Sequence, residues 1–181
     1  MGNNALIVED IQKDFMPSGG YPIPKGNEVI QPINTLIDFA KKNKWLIIFS
    51  RDWHPKGMNH CVQDTEGAKF HPDLHIQKDD ILISKGEDAS DKHYSTFNGD
   101  NIDLLPLLKK NAVTHVYIAG LALEYCVLHT ALDSEKNGFI TSVLIDACRA
   151  VNKNGTSKEE AINNMRHSNI KIGSVKDIVK I

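Results

Sequence analysis

Cys126 is the residue of this chain best placed to act as a nucleophile. It follows His115-Val116-Tyr117-Ile118-Ala119, a β-branched and aromatic run that ends at Gly120. It precedes Val127-Leu128-His129-Thr130-Ala131-Leu132-Asp133, whose apolar residues recur at helical spacing. The pattern predicts a strand, a sharp turn and a helix. A thiol in the first turn of a helix meets free backbone N–H groups and the positive end of the helix dipole. Both favour thiolate, the nucleophilic form of a group that ordinarily titrates near ~8.5. The competing reading is a small buried hydrophobe. A nucleophilic thiol also needs a base for its proton and a cation beside its charge. Asp10 and Lys85 are the candidates, because each follows its own apolar run, Ala5-Leu6-Ile7-Val8 and Ile81-Leu82-Ile83. An aspartate becomes a useful base when partly desolvated, and the same carboxyl can later return the proton to a leaving group. The alternative is a buried Asp10–Lys85 ion pair that only ties two strands together.

Asp52, His54 and His60 form a second group. Asp-x-His puts two ligands on one side of an extended strand end, since side chains alternate. A histidine six residues later returns to the same point through a turn at Lys56-Gly57. Two imidazoles and a carboxylate suit a divalent metal with positions left open, zinc first, with iron or manganese as alternatives. Loop residues with no metal are the plainer reading. A structural zinc on His60, Cys61 and His71 is a further option that lacks a familiar spacing. His75, His93, His115, His129 and His167 form no tighter cluster.

The elements that must position these groups are legible in outline. Ala5–Val8, Trp45–Phe49, Ile81–Ile83, His115–Ala119 and Phe139–Ile145 read as strands, and Ile170–Ile172 as a short last one. Apolar runs without polar alternation fit strands buried on both faces. Val29, Ile33, Leu36, Ile37 and Ala40 make a helical stripe with Pro32 in its first turn. A helix over Ile102 to Leu108 is interrupted or begins near Pro106, another is capped by Thr156 or Ser157 and runs to about His167, and Val175–Ile181 is a short terminal one. Lys56 to Leu74 shows no sustained period and reads as loop. Strands alternating with helices predict an α/β fold, a parallel sheet covered on both faces as three α/β/α layers. Asp10, Asp52, Lys85 and Cys126 each follow a different strand, and a doubly wound sheet gathers such ends on one edge.

Length and composition narrow the function classes. The 181 residues fit one domain, 1–181. A net charge of −2 gives no electrostatic case for nucleic acid or a membrane surface. Three cysteines, an odd and sparse set, indicate reduced thiols. The first residues carry no basic-then-apolar leader, and no apolar run spans a bilayer, so a cytoplasmic protein is expected.

Ala5-Leu6-Ile7-Val8-Glu9-Asp10-Ile11-Gln12-Lys13-Asp14-Phe15 resembles the opening of the nicotinamidase/pyrazinamidase branch of the isochorismatase-like cysteine hydrolases. Arg51-Asp52-Trp53-His54-Pro55, His60-Cys61-Val62-Gln63, Phe70-His71-Pro72, Lys85-Gly86 and Tyr94-Ser95-Thr96-Phe97 continue the match in the same order. So do Gly120 to Val127, Thr130 to Asp133 and Asp146-Ala147-Cys148-Arg149. The resemblance implies a six-stranded, mostly parallel, Rossmann-like sheet and hydrolysis of nicotinamide to nicotinate and ammonia, in NAD salvage. It implies Cys126 as nucleophile, Asp10 as proton carrier and Lys85 as the cation beside them. It also implies a cis peptide at Leu121–Ala122 and an oxyanion hole from the N–H groups of Ala122 and Cys126. Asp52, His54 and His60 would hold the metal, which in such enzymes receives the pyridine nitrogen. Phe15, Tyr94 and Tyr125 would line the ring pocket. No organic cofactor is expected, and a homo-oligomer is. Another small amide or carbamoyl compound is the alternative substrate. One departure stands out: only Lys56-Gly57-Met58-Asn59 separates Pro55 from His60, whereas relatives carry a longer insert with a further histidine and an aromatic wall. The shortened loop predicts an open pocket, or one covered by another chain, and strains the reach of His60.

Overall fold

In a computed structural model of the chain, residues 2–88, 94–152 and 157–179 are described. His93 and Thr156 lie outside the described residues, as does the end of the terminal helix. The elements run β1 (Asn3–Glu9), α1 (Ile30–Lys42), β2 (Leu46–Asp52), β3 (Ile81–Lys85), α2 (Leu104–Lys110) and β4 (Val113–Leu121). They continue α3 (Leu128–Lys136), β5 (Ile140–Arg149), α4 (Lys158–His167), β6 (Lys171–Gly173) and α5 (Val175–Val179).

The strands form one sheet in the order β3-β2-β1-β4-β5-β6. Every pairing is parallel, where the sequence predicts a mostly parallel sheet. The order reverses between β1 and β4, and the crevice at such a switch point is where open α/β sheets bind ligands. Alternation along β1 explains the layering. Leu6 and Val8 join one core with Ile33, Leu36 and Ile37 of α1. Ala5 and Ile7 join the other with Leu108 of α2, Ala131 of α3 and Met165 of α4. A strand with apolar residues on both faces can only be central. Truncating Ile7 to alanine would cost about 2–5 kcal/mol.

Three details shape the site. First, β2 and β3 extend beyond their apolar runs to Asp52 and Lys85, which pair in register with each other. Second, β5 reaches Arg149 rather than stopping at Ile145, because pairing with β4 resumes past an irregularity between Ile118 and Gly120. Third, Gly120 has φ +134° and packs against β1, where a Cβ would fall 2.1 Å from the Glu9 carbonyl oxygen. Only glycine fits there. At the start of α4, Ser157 accepts from the Glu160 N–H while the Glu160 carboxylate accepts from the Ser157 N–H, a capping box. No helix among the described residues is long and apolar enough to cross a membrane.

Candidate active site

Cys126 does not sit in an α-helical first turn. Residues Leu123–Val127 form a single π-helical turn between β4 and α3. The Leu121–Ala122 peptide preceding it is cis. The thiol is buried, 4% exposed. One oxygen each of Asp10 and Asp52 and Cys126 Sγ lie within 4.8 Å of one another. Lys85 is fully buried in their midst. Its Nζ donates to Asp10 Oδ2 at 2.7 Å and to the Tyr94 carbonyl oxygen at 3.3 Å. It lies 3.2 Å from Asp52 Oδ1 and 3.7 Å from Glu9 Oε2. The four residues that the sequence places after different strands, Asp10, Asp52, Lys85 and Cys126, come together here.

The electrostatics reverse one expectation. Burial pushes the Cys126 thiol well above its ordinary range; Lys85 opposes this, while Asp10, Asp52 and Glu9 add to it. The turn therefore does not hold a standing thiolate. Burial is the main reason, since a desolvated thiol resists ionisation, and the neighbouring carboxyl groups add to it. Asp10 responds to the same crowding. Burial raises it to about 7 against the pull of Lys85, with Asp52 and Glu9 contributing. Burial works against the charge on Lys85, but Asp10, Asp52, Cys126 and Glu9 outweigh it and hold the ammonium well above the usual lysine range. A base poised near neutrality beside a neutral thiol suits proton transfer during reaction rather than before it.

Asp52, His54 and His60 meet on the neighbouring side of the crevice. His54 Nε2 and His60 Nε2 lie 3.9 and 4.0 Å from Asp52 Oδ2, so the short loop does bring His60 in. The loop is closed by a ladder-like pair: the His54 N–H donates to the Cys61 carbonyl, and the Gln63 N–H donates to the His54 carbonyl. Burial lowers the pKa of His60, and its Nδ1 is buried with no hydrogen-bond partner among the described residues. A neutral imidazole with an unsatisfied nitrogen, beside a second imidazole and a carboxylate, fits a divalent cation. Asp10, Asp52 and Cys126 are a second set close enough to ligate. The Lys85 ammonium already bonds Asp10 and approaches Asp52, so this set has its cation. Cys61 donates its N–H to Asp14 Oδ2, and His71 Nδ1 accepts from the Asp73 N–H. Neither joins a group of potential ligands among the described residues, so the His60–Cys61–His71 zinc option is not seen.

A cavity of about 330 Å³ opens between the two groups, within the size range of small-ligand sites. Cys126, Ala122, Phe15, Tyr94 and Tyr125 reach it, and so does Tyr21. The Tyr21 ring lies 5.0 Å from that of His60, and Phe15 lies 5.5 Å from it. The Pro/Gly-rich segment thus gives the cavity an aromatic side next to the 56–59 loop. Tyr94 stands opposite, 5.3 Å from Tyr125 and 5.3 Å from His129.

The isochorismatase domain matches residues 4–177. The chain belongs to the isochorismatase family. Among its relatives, the nicotinamidase of Escherichia coli (strain K12) is 31% identical over 182 residues, covering 84% of this chain and 85% of that protein. The nicotinamidase/pyrazinamidase of Mycobacterium tuberculosis is 29% identical, covering 93% and 97%. The structure of the pyrazinamidase of Pyrococcus horikoshii in complex with zinc superposes with a TM-score of 0.86 at 38% identity, over 95% of this chain and 99% of that one.

Within this isochorismatase fold, several supporting residues were not foreseen from the sequence. Gln12 is fully buried; its amide donates to the Asp52 and Ala68 carbonyls and accepts from the Asp52 N–H, clamping the backbone of a candidate ligand. The Asp14 carboxylate accepts from the N–H groups of Gly20 and Cys61, joining the Tyr21 segment to the His60 turn. Gly86 cradles His54: a Cβ would fall 2.6 Å from the imidazole. Gln12 and Asp14 lie two and four residues past Asp10, and only that proximity hints at them.

Proposed function

We infer that this family member, as one catalytic domain, is a nicotinamidase that also accepts pyrazinamide. The observation that carries the reading is one cavity reached by Cys126, which is backed by the buried Asp10–Lys85 pair, and by Asp52 and His60, which with His54 form a set suited to a metal. Its relatives' activities agree with it.

Asp10 takes the Cys126 proton as the thiol attacks the amide carbon. Lys85 holds the developing negative charge, and the N–H groups of Ala122 and Cys126 face the oxyanion of the tetrahedral adduct. Asp10 then gives its proton to the leaving nitrogen, which departs as ammonia and leaves a Cys126 thioester. Asp10 next takes a proton from water, whose oxygen attacks the thioester. The adduct collapses to nicotinate, and the proton returns to Cys126. Asp52, His54 and His60 would hold a divalent metal, with zinc the first choice; when bound it supplies a Lewis-acid seat for the pyridine nitrogen. Phe15, Tyr21, Tyr94 and Tyr125 enclose the ring.

The test is ammonia release from nicotinamide by metal-loaded protein. The expected outcome is turnover, with loss of about 10⁴-fold or more in kcat for a folded Cys126→Ala variant. Full activity in that variant would sink the mechanism. The four-residue loop at 56–59 favours a second reading, a different small amide or carbamoyl compound. A panel in which such a compound turns over and nicotinamide does not would select it.

A further inference from the structure

Glu9 has no task in the steps above, yet it is fully buried at the end of β1, directly before Asp10. Its Oε2 lies 2.5 Å from Ser50 Oγ, and Asp10 Oδ1 lies 2.6 Å from the same Oγ. Both are hydrogen-bond distances, and a hydroxyl has one proton to give. Ser50 donates to one carboxyl; the other must bring its own proton to the serine oxygen. One of the two acids is therefore neutral.

The surroundings assign that proton. Asp10 accepts directly from the Lys85 ammonium at 2.7 Å, while the Glu9 oxygen nearest Lys85 is 3.7 Å away. A charge-assisted bond stabilises the ionised form, which places the negative charge on Asp10. Glu9 has only hydroxyl partners at bonding distance among the described residues. Thr96 Oγ1 lies 2.8 and 2.9 Å from its two oxygens, and Thr130 also bonds it. The titratable groups facing Glu9 are Asp10, Lys85 and the thiols of Cys126 and Cys148; burial raises its pKa and outweighs the opposing pull of Lys85 and of the Ser50, Thr130 and Thr96 hydroxyls.

We propose that Glu9 is a neutral carboxylic acid that donates to Ser50 Oγ and so turns the serine hydroxyl proton onto Asp10 Oδ1, making Glu9 a positioning residue for the Asp10 base. This rests on the reading of Asp10 as proton carrier. The Asp10 carboxylate is then fixed at both oxygens, one by Lys85 and one by Ser50. A neutral Glu9 also spares Cys126 a further negative neighbour as its thiolate forms.

Infrared difference spectra at mildly alkaline pH read the proton directly. The expected result is a neutral-carboxyl C=O band in the wild type, lost in Glu9→Gln and shifted in Ser50→Ala. Glu9→Gln keeps an N–H donor towards Ser50, so it should hold kcat within about threefold, while Glu9→Leu loses about tenfold or more. A band that survives Glu9→Gln and vanishes in Asp10→Asn puts the proton on Asp10 and overturns the proposal. Equal loss of activity in the Gln and Leu variants overturns the positioning role. The band does not depend on turnover. Its presence in a protein that releases no ammonia from nicotinamide supports the neutral Glu9 and counts against the substrate reading alone.

Discussion

Asp10 and Lys85 stand at strand ends, sealed from solvent behind the Cys126 turn, whereas His54, His60 and Tyr21 stand on irregular segments at or beside the cavity that Cys126 lines. The side chains of Asp10 and Lys85 are 0% exposed; those of His54 and His60 are 14% and 23% exposed. The first group is spaced by the parallel ladders of β1, β2, β3 and β4. The second is held by a short turn and by the side chains of Gln12 and Asp14. Proton transfer loses rate with small errors of position, and a packed sheet limits such errors. Positioning a bound ligand tolerates more, so loops suffice.

That contrast breaks most visibly at Lys85. Lys85→Met leaves Asp10 and Asp52 without their cation, so stability should fall by about 3–5 kcal/mol in denaturant unfolding, and kcat by about 10³-fold. Equal stability to the wild type would show that the sealed half does not depend on the ammonium. The next effect is on pH. Asp10 accepts a proton only when ionised, and its folded pKa is raised to about 7. Activity should therefore be full above that value and fall about tenfold per unit below it. An acid limb near the ordinary aspartate value would remove Asp10 from the role of base.

The loop half should respond in KM. His54→Ala, or removal of metal by a chelator, should raise KM for nicotinamide by about 10- to 100-fold, while alkylation of Cys126 by a small reagent proceeds at an unchanged rate. Loss of thiol reactivity in step with metal would show that the two halves are coupled rather than divided. The smallest effect is at Tyr21. One aromatic contact is worth about 0.5–1.5 kcal/mol, so Tyr21→Ala should raise KM by roughly 3- to 10-fold with little change in kcat. An unchanged KM would mean that the ring shields His60 without touching substrate.

The sealed half was the more legible in sequence. Asp10, Asp52, Lys85 and Cys126 each follow an apolar run, and parallel topology alone carries such residues to one edge. The depth of burial was not legible. A strand-to-helix cysteine favours thiolate by its local position, but the burial that keeps this thiol neutral comes from packing of distant segments, which no local spacing shows. The loop half was read from short motifs, which name candidate ligands without saying whether the chain between them reaches. The four-residue loop closes because His54 and Cys61 pair backbones, a contact without periodicity. Tyr21 is illegible for the same reason: its segment is held by irregular backbone bonds, such as the Tyr21 N–H to the Asp14 carbonyl, and by the Asp14 carboxylate, none of them periodic. Ser157 was readable as a cap, since capping is local.

The tight packing of Gly120 on β1 sets how freely this site can drift. Asp10 directly follows Glu9, the last residue of β1, and Cys126 lies six residues past Gly120, in the turn that follows β4. The span between base and thiol is thus ruled by a side chain that is not there. A library randomised at 120 and selected for turnover should return glycine almost alone, however permissive the loops become. A designer who wanted the acid farther from the thiol would begin at this position, by letting the two strands part.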